Sequence, residues 1–444
     1  MLCRARTPRC DDSRVRTALL TDRYELTMLG SSLRDGTARR RCTFEVFARR
    51  LPDGRRYGVV AGAARLVDAI AEFRFDDDTI AWLRDGEVVD DQTAEYLREF
   101  QFGGDVDGYP EGELYFPFSP ILTVTGTFAE AVVLETLVLS ILNHDCAVAA
   151  AAARMVTAAG GRPIIEMGSR RTHEQAAVAA ARAAYLAGFA STSNLEASRR
   201  YGIPAAGTAA HAFTLLHDDE RAAFAAQVGS LGIDTTLLVD TYDITRGIEL
   251  AVEVAGTSLG AVRIDSGDLG VMATHARQQL DTLGATGTRI VVSGDLDEYS
   301  IAALAATPVD AYGAGTAVVT GSGAPTASLV YKLVEVDGRP VAKRSEHKGT
   351  QGGRKTVVRA HKPTGTAIEE TVVTAGQPQL GDGDRLVQRP FLRDGKPVDD
   401  LPTLDESRRH LRAATVSLPW DGLKLSKGEP AIPTRFVLPR REPA

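Results

Sequence analysis

The chain has 444 residues and carries 51 Lys plus Arg against 58 Asp plus Glu, a formal net charge of -7 with a pI near 5.7. That acidic total excludes a general nucleic-acid or membrane-surface binder, which needs a basic surplus, and 44% apolar residues exclude a wholly disordered chain. At roughly 100–200 residues per domain the length allows two to four domains, and four cysteines without paired spacing fit neither a disulfide framework nor a zinc site, which points to a reducing, cytoplasmic setting.

Residues 1–16 hold Arg4, Arg6, Arg9, Arg14 and Arg16 but no apolar h-region, so they read as a disordered extension and not as a secretory signal. Asp22 followed by Glu25 has capping-box spacing, and Leu26, Leu29 and Leu33 continue at helical intervals, so a helix opens the folded part with Tyr24 in its first turn. Cys42–Ala48 alternates as a strand, Pro52-Asp53-Gly54 is a turn, Arg56–Val60 returns as a strand and Ala63–Phe73 reads as a helix. An α/β N-terminal domain is expected over 17–120.

A long Ala-rich helix is expected over Ala129–Ala159; Glu135, Asn143, His144, Asp145 and Arg154 interrupt it, leaving less than the roughly 18 apolar residues of a membrane span. His144 reads as a core residue. Seven short apolar runs follow, Pro163–Met167, Phe189–Thr192, Pro204–Gly207, Thr236–Val239, Ala261–Ile264, Arg289–Val292 and Val309–Tyr312, with helical segments between them, as repeated βα units require. Nearly every run ends in polar chemistry: Glu166 with Arg170, Ser193-Asn194, Thr208 with His211, Asp240, Asp265-Ser266, Ser293–Asp295 and Gly313–Thr316. An open doubly wound sheet would concentrate such residues at one crevice, whereas a closed barrel gathers all its carboxyl ends around one mouth. The pattern therefore predicts an α/β barrel over 121–331. It stops near Lys332, the first lysine of the chain, and 332–444 reads as a small C-terminal appendage packing on the N-terminal domain.

Val262–Asp268 brings Arg263, Asp265, Ser266 and Asp268 to a strand end and a tight turn. Charges there are costly to desolvate unless they pair with one another or with a ligand. The carboxylates suit ribose hydroxyls or a magnesium ion and the guanidinium suits a carboxylate or phosphate, but an Arg–Asp pair that only holds a loop is read from the same residues. Ser293-Gly294-Asp295 and Tyr312-Gly313-Ala314-Gly315-Thr316 end the last two runs. Glycines admit phosphate oxygens to backbone N–H groups, and barrels bind phosphate after their last strands; each motif alone reads equally as a turn. His211 follows Gly207-Thr208-Ala209-Ala210 near a helix N-terminus that favours anions, which suits a nucleophilic or phosphate-bound role as well as an ordinary surface histidine. Of Arg170 and Arg171, one is expected to face the mouth. Tyr24 offers an aromatic face for stacking or for packing. No histidine shows metal-ligand spacing, so no metal site built from protein alone is proposed.

As an ordered set, Thr21–Met28, Glu166–Arg171, Thr192-Ser193-Asn194, Gly207–His211, Arg263–Asp268 and Tyr312–Thr316 resemble nicotinate phosphoribosyltransferase over about residues 17 to 360. The resemblance implies an irregular α/β barrel joined to an α/β N-terminal domain, and a homodimer with sites near the subunit interface. It implies the ATP-coupled joining of nicotinate to phosphoribosyl pyrophosphate, giving nicotinate mononucleotide and pyrophosphate for NAD salvage, with magnesium as cofactor. By motif, His211 matches the family's phosphorylated histidine and acts in catalysis with Arg263 and Asp265. Tyr24 is the ring-stacking residue, given across the dimer interface, and Arg170, Thr208, Arg263 and Thr316 belong to the nicotinate site. Ser266, Asp268, Gly294, Asp295, Gly313 and Gly315 handle the phosphoribosyl and phosphate groups. Two departures stand out: Ala314 replaces a valine common in the family's glycine motif, and Thr350–Lys355 lacks a Pro-Gly usual before its basic pair. The alternatives are a nicotinamide phosphoribosyltransferase, which prefers a neutral amide, and a non-catalytic phosphoribosyl-binding regulator, from which loss of His211, Arg263 or Asp265 would be expected.

Overall fold

The computed structural model describes residues 17–343, 351–374 and 378–437. The extension read as disordered and the Thr350 end of the departing loop lie outside the described residues.

Six short parallel strands follow the apolar runs: β1 (Ile164–Glu166), β2 (Ser191–Thr192), β3 (Thr236–Leu238), β4 (Ala261–Ile264), β5 (Arg289–Ser293) and β6 (Ala311–Ala314). Their order in the sheet is β2-β1-β6-β5-β4-β3, and a parallel bridge from Thr192 to Ala205 adds the remaining run to the β2 edge. The last strand therefore pairs with the first, Tyr312 opposite Ile164 and Ala314 opposite Glu166, which curls the sheet into a barrel. Among the described residues the ring is left unladdered only between Ala205 and β3. Parallel neighbours need long crossovers, and the helices Glu174–Ala187, Glu220–Leu231, Ile244–Ala255 and Leu269–Thr282 supply them. Ile164, Leu237, Val262, Ile264, Ile290, Val292 and Tyr312 from the strands share one core cluster with Ala180, Ile248, Ala251, Ala276 and Leu280 from these helices.

The second body is an antiparallel sheet of seven strands in the order Arg339–Pro340, Leu329–Val336, Arg41–Ala48, Leu122–Thr127, Asp105–Gly108, Arg389–Arg393 and Lys396–Pro397. It is built from both ends of the chain, and Leu329–Val336 runs through the position of the first lysine. A four-stranded sheet follows from Arg385–Leu386, Thr356–His361, Ala367–Val373 and Thr434–Val437, while the helix Leu404–Val416 sends Leu411 and Ala414 into the barrel's core. The C-terminal segment thus touches both bodies. Lys355, in the loop that departs from the family pattern, is buried in the large sheet, where its Nζ lies 2.6 Å from Glu45 Oε2.

The predicted long helix is broken in two. Thr127 and Glu130 form a capping box on Phe128–Val132, and Glu135–Ala159 then runs unbroken for 25 residues. Its first half (Leu137, Val138, Leu142, Cys146) enters the sheet core and its second half (Val148, Ala152, Met155, Ala159) the barrel core, so the alanines let two bodies close on one rod. By length and hydropathy Phe128–Ala159 could cross a bilayer, but 61% of its most apolar window is buried in the fold, and Asp145 and Arg154 are buried within it. His144 is partly buried beside Asp145, 2.8 Å from its Oδ1.

The first helix, Arg23–Asp35, begins where the spacing predicts, but the capping box does not form: Asp22 makes no side-chain cap bond. Glu25 turns inward to full burial and accepts the Thr136 N–H at 3.0 Å, along with the Thr21 and Thr136 hydroxyls. Thr136 lies in the first turn of Glu135–Ala159, so Glu25 serves the exposed donors of another helix instead of its own.

A buried charge cluster joins the two ends of the chain. Arg359 lies 2.8 Å from Glu113 and also pairs with Glu370, whose Oε1 accepts the Tyr109 hydroxyl at 2.8 Å; His410 Nε2 is 2.9 Å from Glu113. Burial pushes the Glu113 carboxyl up, but Arg359, His410 and Arg385 outweigh it and hold it well below the usual carboxylate range. Arg359→Met should leave the buried Glu370 carboxylate without a cation, while Glu113 keeps Arg385 and His410, and cost about 3–5 kcal/mol, read as a lower midpoint in urea or thermal denaturation.

Candidate active site

A cavity of about 240 Å³ opens at the carboxyl ends of the barrel strands. The loop after β1 brings Met167, Ser169 and Arg170 to it, β2 brings Ser193, the Ala205 edge brings Thr208 and His211, β3 brings Leu238, and β4 brings Arg263 and Asp265. Arg170 lines the cavity and Arg171 does not. Glu166, buried at the end of β1, accepts from the Gly168 N–H and the Thr192 hydroxyl and so ties the Arg170 loop to β2.

Arg263 is the most constrained of these groups. Its Nε donates to Ser293 Oγ at 2.7 Å, Nη1 to Thr208 Oγ1 at 2.8 Å and Nη2 to Asp265 Oδ1 at 2.9 Å, and its side chain is only 12% exposed. These three bonds use three of the five N–H donors of a guanidinium; two remain for a ligand. Burial pushes the Asp265 carboxyl up, but the Ser293 hydroxyl, Arg263 and His211 together hold it below the usual range, so it stays ionised beside the cation.

His211 opens the short helix His211–Leu216. Its Nδ1 is 3.1 Å from Thr241 Oγ1 and its Nε2 is 3.9 Å from Asp240 Oδ1. The Asp240 side chain is only 1% exposed, and its other oxygen accepts the Asp265 N–H at 2.8 Å and the Ser266 hydroxyl at 2.7 Å. Oδ1 has no hydrogen-bond partner and is left to face the imidazole. The sequence offers Asp240 only as a run end and Ser293 only within its glycine motif, because their hydrogen-bond partners lie 25 to 30 residues away.

The other expected site residues do not line this cavity. Asp268 caps the helix Leu269–Thr282, accepting the Val271 N–H at 3.1 Å, and Thr316 opens the helix Thr316–Val319. Tyr24 sits in the first turn of its helix, 45% exposed. Gly313 and Gly315 close the barrel against the β1 loop: a Cβ on Gly313 would come within 2.8 Å of Met167 Sδ, and one on Gly315 within 3.2 Å of the Met167 carbonyl oxygen. Gly294 and Asp295 form a left-handed turn, φ +116° and +46°, and a Cβ on Gly294 would lie 2.6 Å from the Asp265 carbonyl oxygen. Gly294→Ala should therefore cost about 1–3 kcal/mol and displace Asp265, lowering both the thermal midpoint and kcat/KM.

Residues 19–143 match the nicotinate phosphoribosyltransferase N-terminal domain model and residues 163–365 match the nicotinate phosphoribosyltransferase family model. The chain is 63% identical over 435 residues to nicotinate phosphoribosyltransferase pncB1 of Mycobacterium tuberculosis, covering 96% of each chain. It is 37% identical to the nicotinate phosphoribosyltransferase of Bacillus subtilis, over 85% of this chain and 79% of that one. Among solved structures, human nicotinic acid phosphoribosyltransferase superposes with a TM-score of 0.81 at 28% identity, over 95% of this chain and 98% of that one. Matches to both bodies, relatives aligned nearly end to end and the motifs gathered at one barrel mouth lead to the same conclusion: the chain belongs to the nicotinate phosphoribosyltransferase family.

Proposed function

We propose that the cavity joins nicotinate to phosphoribosyl pyrophosphate, releasing nicotinate mononucleotide and pyrophosphate in NAD salvage, and that ATP hydrolysis is coupled to the step through His211. The observation that carries this reading is the geometry of Arg263: a cation clamped by Thr208, Asp265 and Ser293, with two donors left for a planar carboxylate. Displacement at the ribose anomeric carbon passes through an oxocarbenium-like state, so the site must orient the ring nitrogen, tolerate positive charge at ribose and stabilise the leaving pyrophosphate. The nicotinate nitrogen carries no proton to remove, so no general base is needed. Arg170 and Arg263 hold the anionic groups, and ionised Asp265 stands where positive charge or ribose hydroxyls can be met. A neutral amide would gain less from Arg263, which favours nicotinate over nicotinamide.

Phosphoryl transfer uses the two imidazole nitrogens differently. With Nδ1–H directed to Thr241, the Nε2 lone pair attacks the γ-phosphorus of ATP; the Nε2–P bond forms, the bond to the β-phosphate oxygen breaks and ADP leaves. Nδ1 keeps its proton, and Asp240 faces the resulting imidazolium. The described residues offer no group of three or more His, Cys, Asp or Glu that could hold a metal ion. Magnesium would enter on the phosphate oxygens of the substrates, with one or two carboxylates such as Asp265 at the cavity completing its shell. Ser266, Asp268, Gly294, Asp295, Gly313, Gly315 and Thr316 stand near the mouth by sequence position, and their phosphate and base contacts are part of this reading.

A second copy of the chain completes the proposed site. Tyr24 is exposed and does not line its own chain's cavity, while Leu195, Leu215, Leu216 and Tyr242, which follow the barrel strands, are also exposed. Large apolar groups on this rim suit a covered surface. Mixing Tyr24→Ala chains with Arg263→Ala chains should restore turnover that neither has alone; no restoration would mean that Tyr24 is not given across the interface. For the reaction itself, incubation with nicotinate, phosphoribosyl pyrophosphate and ATP should give mononucleotide, pyrophosphate, ADP and phosphate; absence of mononucleotide would sink it.

A further inference from the structure

Ser169 lines the cavity beside Arg170, and the bonds around it leave its hydroxyl proton unspent. Asn194 caps the helix Leu195–Tyr201, its Oδ1 accepting the Ala197 N–H at 2.9 Å. A backbone N–H can only donate, so the amide oxygen is committed to the cap, and Nδ2, a donor only, is the atom that faces Ser169. It donates to Ser169 Oγ at 3.0 Å. Ser169 is therefore an acceptor on its Asn194 side, and among the described residues its own O–H donates to no group. Arg170 is exposed at the same cavity and makes no hydrogen bond or ion pair among the described residues.

One buried carboxylate holds both sides of this contact. Glu166, 1% exposed, accepts the N–H of Gly168, directly before Ser169, and the Thr192 hydroxyl; Thr192 Oγ1 in turn accepts the Asn194 N–H at 3.0 Å. Gly168 is packed so closely that a Cβ there would lie 2.2 Å from Val319 Cγ1 and 3.0 Å from the Gly315 carbonyl oxygen. Ser169 Oγ and Asn194 Nδ2 are thus fixed from the ends of β1 and β2 before any ligand arrives, which lowers the ordering cost of a bond from Ser169.

We propose that Ser169 is a substrate-binding residue that donates its hydroxyl proton to an anionic oxygen held by Arg170, and that Asn194 is the positioning residue that turns this proton into the cavity. The inference rests on the reading that nicotinate and phosphoribosyl pyrophosphate occupy the cavity. Both carry the required chemistry, the ring carboxylate in one and phosphate oxygens in the other. A hydroxyl beside a guanidinium suits either, because a charged acceptor makes the stronger hydrogen bond.

The test is KM for each of the two substrates, with the other and ATP saturating. Ser169→Ala should raise the KM of one substrate roughly 10- to 100-fold, the ratio that a hydrogen bond to a charged group confers, and leave the other within a few-fold. Ser169→Thr, which keeps the hydroxyl, should stay close to the unaltered protein. A rise for nicotinate assigns the carboxylate as the acceptor, and a rise for phosphoribosyl pyrophosphate assigns a phosphate. Asn194→Asp still caps its helix but presents an acceptor to Ser169, drawing the proton away from the cavity. It should raise the same KM by a larger factor in the unaltered protein than in Ser169→Ala, where only charge repulsion is left for it to add. Unchanged KM values in Ser169→Ala, or equal rises for both substrates, would overturn the inference; an equal effect of Asn194→Asp in the two backgrounds would overturn the role of Asn194. No mononucleotide from the unaltered protein would overturn the functional reading and the inference with it.

Discussion

Arg263→Ala should lower kcat/KM for nicotinate by roughly 10²- to 10³-fold, in line with the 2–5 kcal/mol lost when one partner of a buried charge pair is truncated. Two losses add. The substrate carboxylate loses its fixed cation, and Asp265, Ser293 and Thr208 lose the donor that orders them. Because the carboxylate is held in both ground and transition states, most of the effect should appear in KM. Arg263→Lys should recover little: an ammonium is a point charge and cannot span three acceptors at 2.7 to 2.9 Å while offering a flat fork to the ligand. The pH profile offers a second reading. Asp265 is held low against burial by the Ser293 hydroxyl, Arg263 and His211, so loss of Arg263 should move the acid limb of any surviving activity to higher pH.

His211→Ala should abolish ATP stimulation while leaving the slow ATP-independent reaction within a few-fold of its original rate. The expected loss in ATP-driven turnover is on the order of 10²- to 10³-fold, as when a covalent route is removed but binding and orientation survive. The separation follows from geometry. Arg263 binds Thr208, Asp265 and Ser293 and makes no bond to His211, whereas His211 is placed by Thr241 and faces Asp240. Asp240→Asn, which keeps the shape and removes the charge opposite the imidazolium, should weaken ATP stimulation more than nicotinate binding. If His211→Ala lowered nicotinate affinity as much as ATP stimulation, the division of labour between the two sides of the cavity would be wrong.

The barrel was legible because its strands are buried on both faces and therefore appear as short unbroken apolar runs, each ending where polar side chains can reach the mouth. All seven runs lie in the ring, although Pro204–Gly207 contributes a single bridge at Ala205 because the chain turns there towards His211. Arg263 stood out as a charge inside a run, and His211 as a histidine four residues beyond one. Asp240 stood out less, because the Asp265 N–H that it binds lies 25 residues away at the end of another strand. The same limit explains Glu25, whose spacing to Asp22 suggests a local cap while its partner, Thr136, is 111 residues away. Residue spacing reports neighbours on one element, and these contacts join elements that only packing brings together.

The most direct test of the account is kcat/KM of the purified protein for nicotinate and for nicotinamide, with phosphoribosyl pyrophosphate and magnesium, measured with and without ATP. The prediction is nicotinate mononucleotide formed faster with ATP than without it, and nicotinamide turned over at least a hundredfold less well, on the order of what a buried charged partner confers on a carboxylate over an amide. Faster turnover of nicotinamide, or no mononucleotide from either base, would contradict it.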